Sequence, residues 1–255
     1  MKFHFVVTTR NAAKWTERCL RSLMSQKGQT FTINFVDDAS DDGTADIAEA
    51  LLENERLAWP WVAYTFVPRG VRVGAPPNQC EAIRMARPDP DDVIVIVDGD
   101  DYLAHDNVLN VLAGVYADDA VEMTYGSYEP DPPSPTCPAV LPYPPEVARQ
   151  RSFREHTRVH GCLFNHLRTF RYRLFAQIDQ EKNFKWPDGT WFDFGVDFAF
   201  MMPLLELAGE NYRFIPDVLL MYNSENPASD WRRSASEADR VHHYVLADLP
   251  PVRRP

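Results

Sequence analysis

The chain has 255 residues, 45% of them hydrophobic and 12% aromatic, with a formal net charge of −11. That length suits one large domain, or a domain with an appendage, with enough apolar material for a sizeable core. The charge argues against indiscriminate binding to nucleic acid or anionic membrane, and no apolar run approaches the roughly 18–20 residues of a membrane span.

Phe3–Thr8 reads as a strand rather than a secretion signal, because the apolar run at the start is short and lacks a small-residue cleavage site; a cytoplasmic setting is expected, that of the host if the source is viral. Ala12–Ser25 is helical, with Trp15, Cys19, Leu20 and Leu23 on one face. Thr30–Val36 is a second strand, and Thr44–Arg56 a helix capped by Asp41, Asp42 or Thr44. Trp61–Val67 is a third strand, and Asn78–Ala86 a helix stopped by Pro88. Val93–Val97, five β-branched residues in a row, predicts a strand buried on both faces. Asn107–Tyr116 is a helix and Val121–Tyr125 a fifth strand. Alternation at this spacing predicts an α/β fold, a mainly parallel Rossmann-like sheet flanked by helices.

The texture then changes. Residues 130–145 hold eight prolines and predict a stiffened loop. Residues 149–173 carry seven arginines, three histidines and one acid, a basic block that asks for an anionic partner. Asp197–Leu207 reads as a helix ended by Gly209, with Tyr212–Ile215 and Val218–Tyr222 as short strands. From Asn223 onward the chain is polar and irregular, with a weak helical stretch near Ser234–Ala247. The expected division is a domain over residues 1–222, in halves 1–125 and 126–222, with 223–255 packing on it as a tail. The four cysteines, Cys19, Cys80, Cys137 and Cys162, form no CxxC pair, so buried reduced thiols are expected rather than a zinc site.

Polar residues follow the early strands: Thr8-Thr9-Arg10-Asn11, then Asp37-Asp38-Ala39-Ser40-Asp41-Asp42, then Asp98-Gly99-Asp100-Asp101. Ligands of open α/β sheets bind at the carboxyl ends of strands. Capping and turn formation account for Asp41 and Asp42, but not for two acidic clusters at one sheet edge, which call for a cation. A phosphorylated, metal-chelated substrate fits that edge.

Phe35–Thr44 (FVDDASDDGT) together with Val97–Leu103 (VDGDDYL) resembles the GT-A glycosyltransferases of the family 2 type. The resemblance covers residues 1–125 and continues more weakly to 222; it implies a nucleotide-sugar donor, commonly a UDP-sugar, and Mn2+ or Mg2+. By that likeness Thr8, Asp38 and Asp98 contact the nucleotide, Asp98 and Asp100 form the DxD metal motif, and Asp101 assists. Asn78 takes the family's asparagine after the third strand; the arginine before it is replaced by Pro77, so Arg69 or Arg72 would substitute. Asp197 takes the place of the general base of inverting members, although Val196 stands where a glutamate is usual; Asp193 is the reserve. Asn165–Arg171 (NHLRTFR) resembles a subgroup common in phages and large viruses, which implies acceptor or phosphate contacts from His166 and Arg168. It also implies one concrete acceptor, a hydroxymethylated pyrimidine in phage DNA, stacked by Phe164, Phe170, Tyr172 or Trp191. A glycan or protein acceptor, or a non-catalytic nucleotide-sugar-binding module, are the alternatives. Oligomeric state and donor sugar are not legible.

Overall fold

In the computed structural model residues 1–58, 62–134, 137, 139–227 and 235–253 are described. Strands β1 (Phe3–Thr9), β2 (Phe31–Asp37), β3 (Ala63–Pro68) and β4 (Val93–Asp98) alternate with helices α1 (Ala13–Met24), α2 (Thr44–Ala58) and α3 (Ala75–Ala86). They pair in parallel in the order β3-β2-β1-β4, with Thr8 opposite both Val36 and Asp98. The direction of winding reverses between β1 and β4, which is where the strand ends open a crevice.

The β-branched runs do what their pattern demands. Phe3, Phe5, Val7, Val93, Val95 and Val97 face one core, built with Cys19, Leu20 and Leu23 of α1 and Leu112 of α4 (Val108–Tyr116). The intervening Val6, Ile94 and Ile96 face a second core that includes Ile83 of α3 and much of the chain's second half. This is the period-2 alternation of a strand covered by helices on both sides.

Beyond β4 the sheet becomes mixed: its full order is β3-β2-β1-β4-β7-β6-β8-β5. Here β5 is Tyr102–Leu103, β6 Met123–Asp131, β7 Arg168–Arg171 and β8 Tyr212–Asn223. Strand β7 runs antiparallel to β4 and β6, β5 antiparallel to β8, and β6 parallel to β8. Two expected short strands are thus one, because a register shift at Ser127 and Tyr128 of β6 absorbs Pro216–Asp217 as a bulge. The expected strand at 121–125 likewise starts at Met123 and runs on to Asp131. Helices α5 (Pro145–Gln150), α6 (Phe153–His160), α7 (Tyr172–Phe175), α8 (Gln180–Asn183), α9 (Val196–Ala208) and α10 (Ala235–Ala247) complete the described elements, with a 3-10 turn at Gly209–Asn211. Ser234, where the last helical stretch was expected to begin, lies outside the described residues.

The basic block corrects an expectation. Its arginines are largely engaged by the fold's own carboxylates and carbonyls, and Arg154, Arg168 and Arg171 are buried. Arg154, 2% exposed, pairs with Glu206 of α9 at 2.5 and 3.0 Å and donates to the carbonyls of Val245 and Leu249. Arg171, also 2% exposed, donates to the carbonyls of Val121, Asp91 and Tyr116. Arg151 caps the last carbonyls of α9, at Glu206 and Leu207, and Arg158 reaches Leu246 O. Arg173 pairs with Asp91 and Glu122, and Arg149 lies between Glu146 and Glu210. A buried guanidinium is tolerated only when paired and hydrogen-bonded, and Arg154 and Arg171 both are.

Candidate active site at the carboxyl ends of the strands

The ends of β1 and β4 are pressed together. Gly99 N–H donates to Thr8 O at 3.0 Å, and a Cβ at Gly99 would lie 2.3 Å from Thr9 Cβ. Only glycine lets the two strand ends meet this closely. Thr8 is buried beside Asp98 in register.

The first acidic cluster divides by role. Asp37 folds its carboxylate onto Ser40 N and Oγ, at 3.0 and 2.5 Å. Asp42 accepts from Thr44 N and Ala13 N, which tethers the starts of α2 and α1. Burial works to raise its carboxyl, but these donors, with the Thr44 hydroxyl, win and hold it below the usual range. Asp38 is different: 6% exposed, it accepts Val73 N–H on one oxygen at 2.8 Å and Gly74 N–H on the other at 2.9 Å. Arg72 Nε stands 4.0 Å away. Asp38 therefore straps loop 69–74 across the strand ends. Asn78, fully buried, accepts from Arg69 Nε at 3.0 Å, and its Nδ2 has no partner. Of the two arginines considered, Arg69 meets Asn78 and Arg72 meets Asp38.

The second cluster faces the chain's later half. Arg168, 3% exposed on β7, places one terminal nitrogen 3.0 Å from Asp98 Oδ2 and the other on Asp197 Oδ1. Asp197 sits in the first turn of α9, which starts at Gly195 in a left-handed conformation. Asp100 accepts from Asn226 Nδ2 at 2.6 Å. Burial, reinforced by the Asp98 charge, pushes its carboxyl up to about 6. Asp101 is 1% exposed; Oδ1 accepts Asn223 N–H at 2.8 Å, while Oδ2 has no partner. Burial first, then the charges of Asp100 and Asp98, holds it well above the ordinary carboxylate range. His166 is buried between the rings of Tyr128 and Tyr222, at 5.7 and 5.6 Å. Burial and the Arg168 charge keep it neutral, far below its usual pKa.

Buried carboxylates that repel one another, an orphaned Asp101 oxygen and a neutral imidazole fit a divalent cation. One ligand atom each from Asp98, Asp101 and His166 lies within 4.8 Å of the others. Asn223 and Asn226, in a stretch that reads as polar and irregular, hold two of the three carboxylates. Two aromatics expected to stack an extruded base are not available: Phe164 packs on Phe198 and Phe170 on Phe175, both in the core. Among the described residues no helix is long and apolar enough to cross a membrane.

Solved structures share the architecture. Over 99% of this chain and 68% of the other, it superposes on S. aureus TarS 1-349 in complex with UDP-GlcNAc, with a TM-score of 0.68 and 14% identity. For a longer S. aureus TarS the TM-score is 0.64 and identity 17%, over 98% of this chain but 41% of that one, so the chain spans less than half of that protein. The mannosyltransferase PcManGT from Pyrobaculum calidifontis, in complex with GDP-Man and Mn2+, gives 0.60 and 18%, over 89% and 58%. These likenesses establish the expected GT-A fold, a curled mixed sheet between helices. No curated protein matches the sequence. Residues 4–198 match the model of Glycosyl transferase family 2, and the chain belongs to that family.

Proposed function

We propose that the chain transfers a sugar from a nucleotide-diphosphate sugar to an acceptor hydroxyl, with inversion and in dependence on a divalent cation. The observation that carries this reading is the Arg168 bridge, which turns the β4 carboxylate Asp98 and the α9 carboxylate Asp197 toward one cleft. The nucleotide lies along Thr8, the Asp38 strap and Arg72, outside the ends of β1 and β2. Family neighbours in complex with UDP-GlcNAc and with GDP-Man support a nucleotide-sugar donor; a UDP-sugar is the form proposed. Asp98 would hold the cation at its end of the cleft, where it would supply charge neutralisation of the leaving diphosphate. Asp197 Oδ takes the proton of the acceptor hydroxyl as its oxygen attacks the anomeric carbon from the face opposite the diphosphate. Arg168 aims that carboxylate.

For the acceptor, the arginines already engaged by carboxylates and carbonyls of the fold favour an uncharged, hydroxyl-bearing glycan or protein over a polyanion. Hydroxymethylpyrimidine DNA, the narrower acceptor implied by the phage-like motif, belongs in the same test. A panel of UDP- and GDP-sugars with Mn2+ is set against glycan, peptide and hydroxymethylated DNA acceptors and read by mass. A one-sugar gain on any acceptor supports transfer, and a gain on DNA alone overturns the preference for an uncharged acceptor. Failure of every nucleotide sugar to bind overturns the reading itself.

A further inference from the structure

Helix α6 carries two histidines one turn apart, His156 and His160, which the proposed transfer leaves unused. Residues at i and i+4 share a helix face, and the two rings lie 4.6 Å apart, centre to centre, at 42°. His156 is braced. Tyr143, 1% exposed, meets its ring in a T-shaped contact at 5.3 Å and bonds to Thr157 Oγ1 of the same helix at 3.0 Å. His156 Nδ1 is enclosed and has no hydrogen-bond partner, so Nε2 is the nitrogen left to solvent. His160 is exposed. One histidine in the last turn suits the helix dipole by itself. Two with rings together at one turn's spacing do not follow from that, because like groups there repel once charged. Arg158, between them in sequence, donates to Leu246 O.

We propose that His156 and His160 chelate a borderline transition-metal dication, foremost Zn2+, on the exposed face of α6, through one nitrogen each. Imidazoles suit Zn2+, Cu2+ or Ni2+, whereas Mg2+, Ca2+ and Mn2+ prefer oxygen. The site is thus chemically separate from the carboxylate cleft and stands whether or not the transferase reading holds. Cys162, two residues on, does not join, because its thiol donates to Phe164 O at 3.5 Å. Among the described residues no third carboxylate, thiol or imidazole converges on the pair. Water or an incoming ligand fills the remaining positions, as at an open zinc site. With two protein ligands and no acceptor bracing His156 Nδ1, micromolar affinity is expected rather than that of a closed structural site. The helix it would staple also carries Arg154, which pairs with Glu206 of α9 and donates to the carbonyls of Val245 and Leu249. An ion that binds only the folded helix raises stability by mass action.

The test is Zn2+ titrated calorimetrically into the full chain with Mg2+ in excess, joined by Cu2+ followed by electron paramagnetic resonance. Wild type is expected to take up one equivalent of Zn2+ that His160→Gln binds at least about tenfold more weakly, since loss of even an outer-shell partner costs about that much. His160 is exposed, so the substitution spares the fold. Asp98→Asn should keep that equivalent, and saturating Zn2+ should raise the melting temperature of wild type more than that of His160→Gln. Cu2+ should show nitrogen splitting from two imidazoles, reduced to one in His160→Gln. No Zn2+ uptake, uptake undiminished in His160→Gln, or uptake lost equally in Asp98→Asn overturns the site. A wild-type Cu2+ spectrum without two nitrogens overturns it too, and needs no variant.

Discussion

Asp98 and Asp197 share one guanidinium: Arg168 donates to the first at 3.0 Å and to the second with its other terminal nitrogen. The carboxylate proposed to take the acceptor proton is thereby fixed relative to the carboxylate proposed to face the leaving group. Asp197→Asn keeps the shape and removes the base. Turnover is expected to drop roughly 100- to 10,000-fold, with the donor dissociation constant nearly unchanged. Loss of donor binding in step with turnover would mean that Asp197 serves the fold or the donor instead.

Asp38 strapping loop 69–74 leads to a second expectation. Its carboxylate is the acceptor for Val73 N–H and Gly74 N–H, and charge-assisted bonds of this kind contribute about 1.5–3 kcal/mol. Asp38→Ala should free the loop, so that trypsin cuts after Arg69 or Arg72 much faster than in wild type, and should weaken donor binding. Unchanged cleavage, followed by mass spectrometry, would show that the strap does not hold the loop.

The Arg154–Glu206 pair, each side chain 3% exposed, has a structural consequence. Glu206→Ala leaves a buried arginine without its carboxylate and is expected to destabilise by about 3–5 kcal/mol. The double change Arg154→Met with Glu206→Leu should recover most of that loss. Urea unfolding checks both; a small effect of the single change would place water or another acceptor at Arg154.

The pH dependence of the unloaded site follows from Asp100. Its folded carboxyl keeps a proton up to about 6, whereas an unfolded aspartate releases it near ~3.9. Between those values the folded state binds more protons, so this group's contribution to stability falls as pH rises. Asp100→Asn retains an acceptor for Asn226 and never charges. It should therefore stabilise the metal-free protein by on the order of 1–3 kcal/mol above about pH 6, with the gain fading toward about pH 4. Denaturation curves of both proteins across that range decide it: a gain independent of pH would assign it to packing.

The sheet of the first half was legible because its information is local. Unbroken β-branched runs have only one burial that suits them, and the carboxylates stand at their ends. The second half resisted for the opposite reason. Arg168-Thr-Phe-Arg171 looks like surface, yet it is the fully buried strand β7, because the partners of its arginines come from remote positions: Asp98, Asp197, Val121 and Tyr116. Pro216 made one long strand look like two, since the bulge that absorbs it shows only in the pairing of β8 with β6. The anchoring of Asp100 and Asp101 by Asn226 and Asn223 joins residues more than a hundred positions apart, and no local pattern announces it.

Helix α10 does more than cover the surface. A Cβ at Gly195, which opens α9, would meet Ala238 O and Val241 at 3.2 Å, and Phe198 stacks against His242 with ring centres 4.3 Å apart. The first four strands are complete by residue 98, although one of their faces is covered in large part by later residues. The helix that carries Asp197 finds its last neighbours only when residues 235–249 emerge. During synthesis, then, the seat of Asp197 is completed last, after the strand ends that it faces.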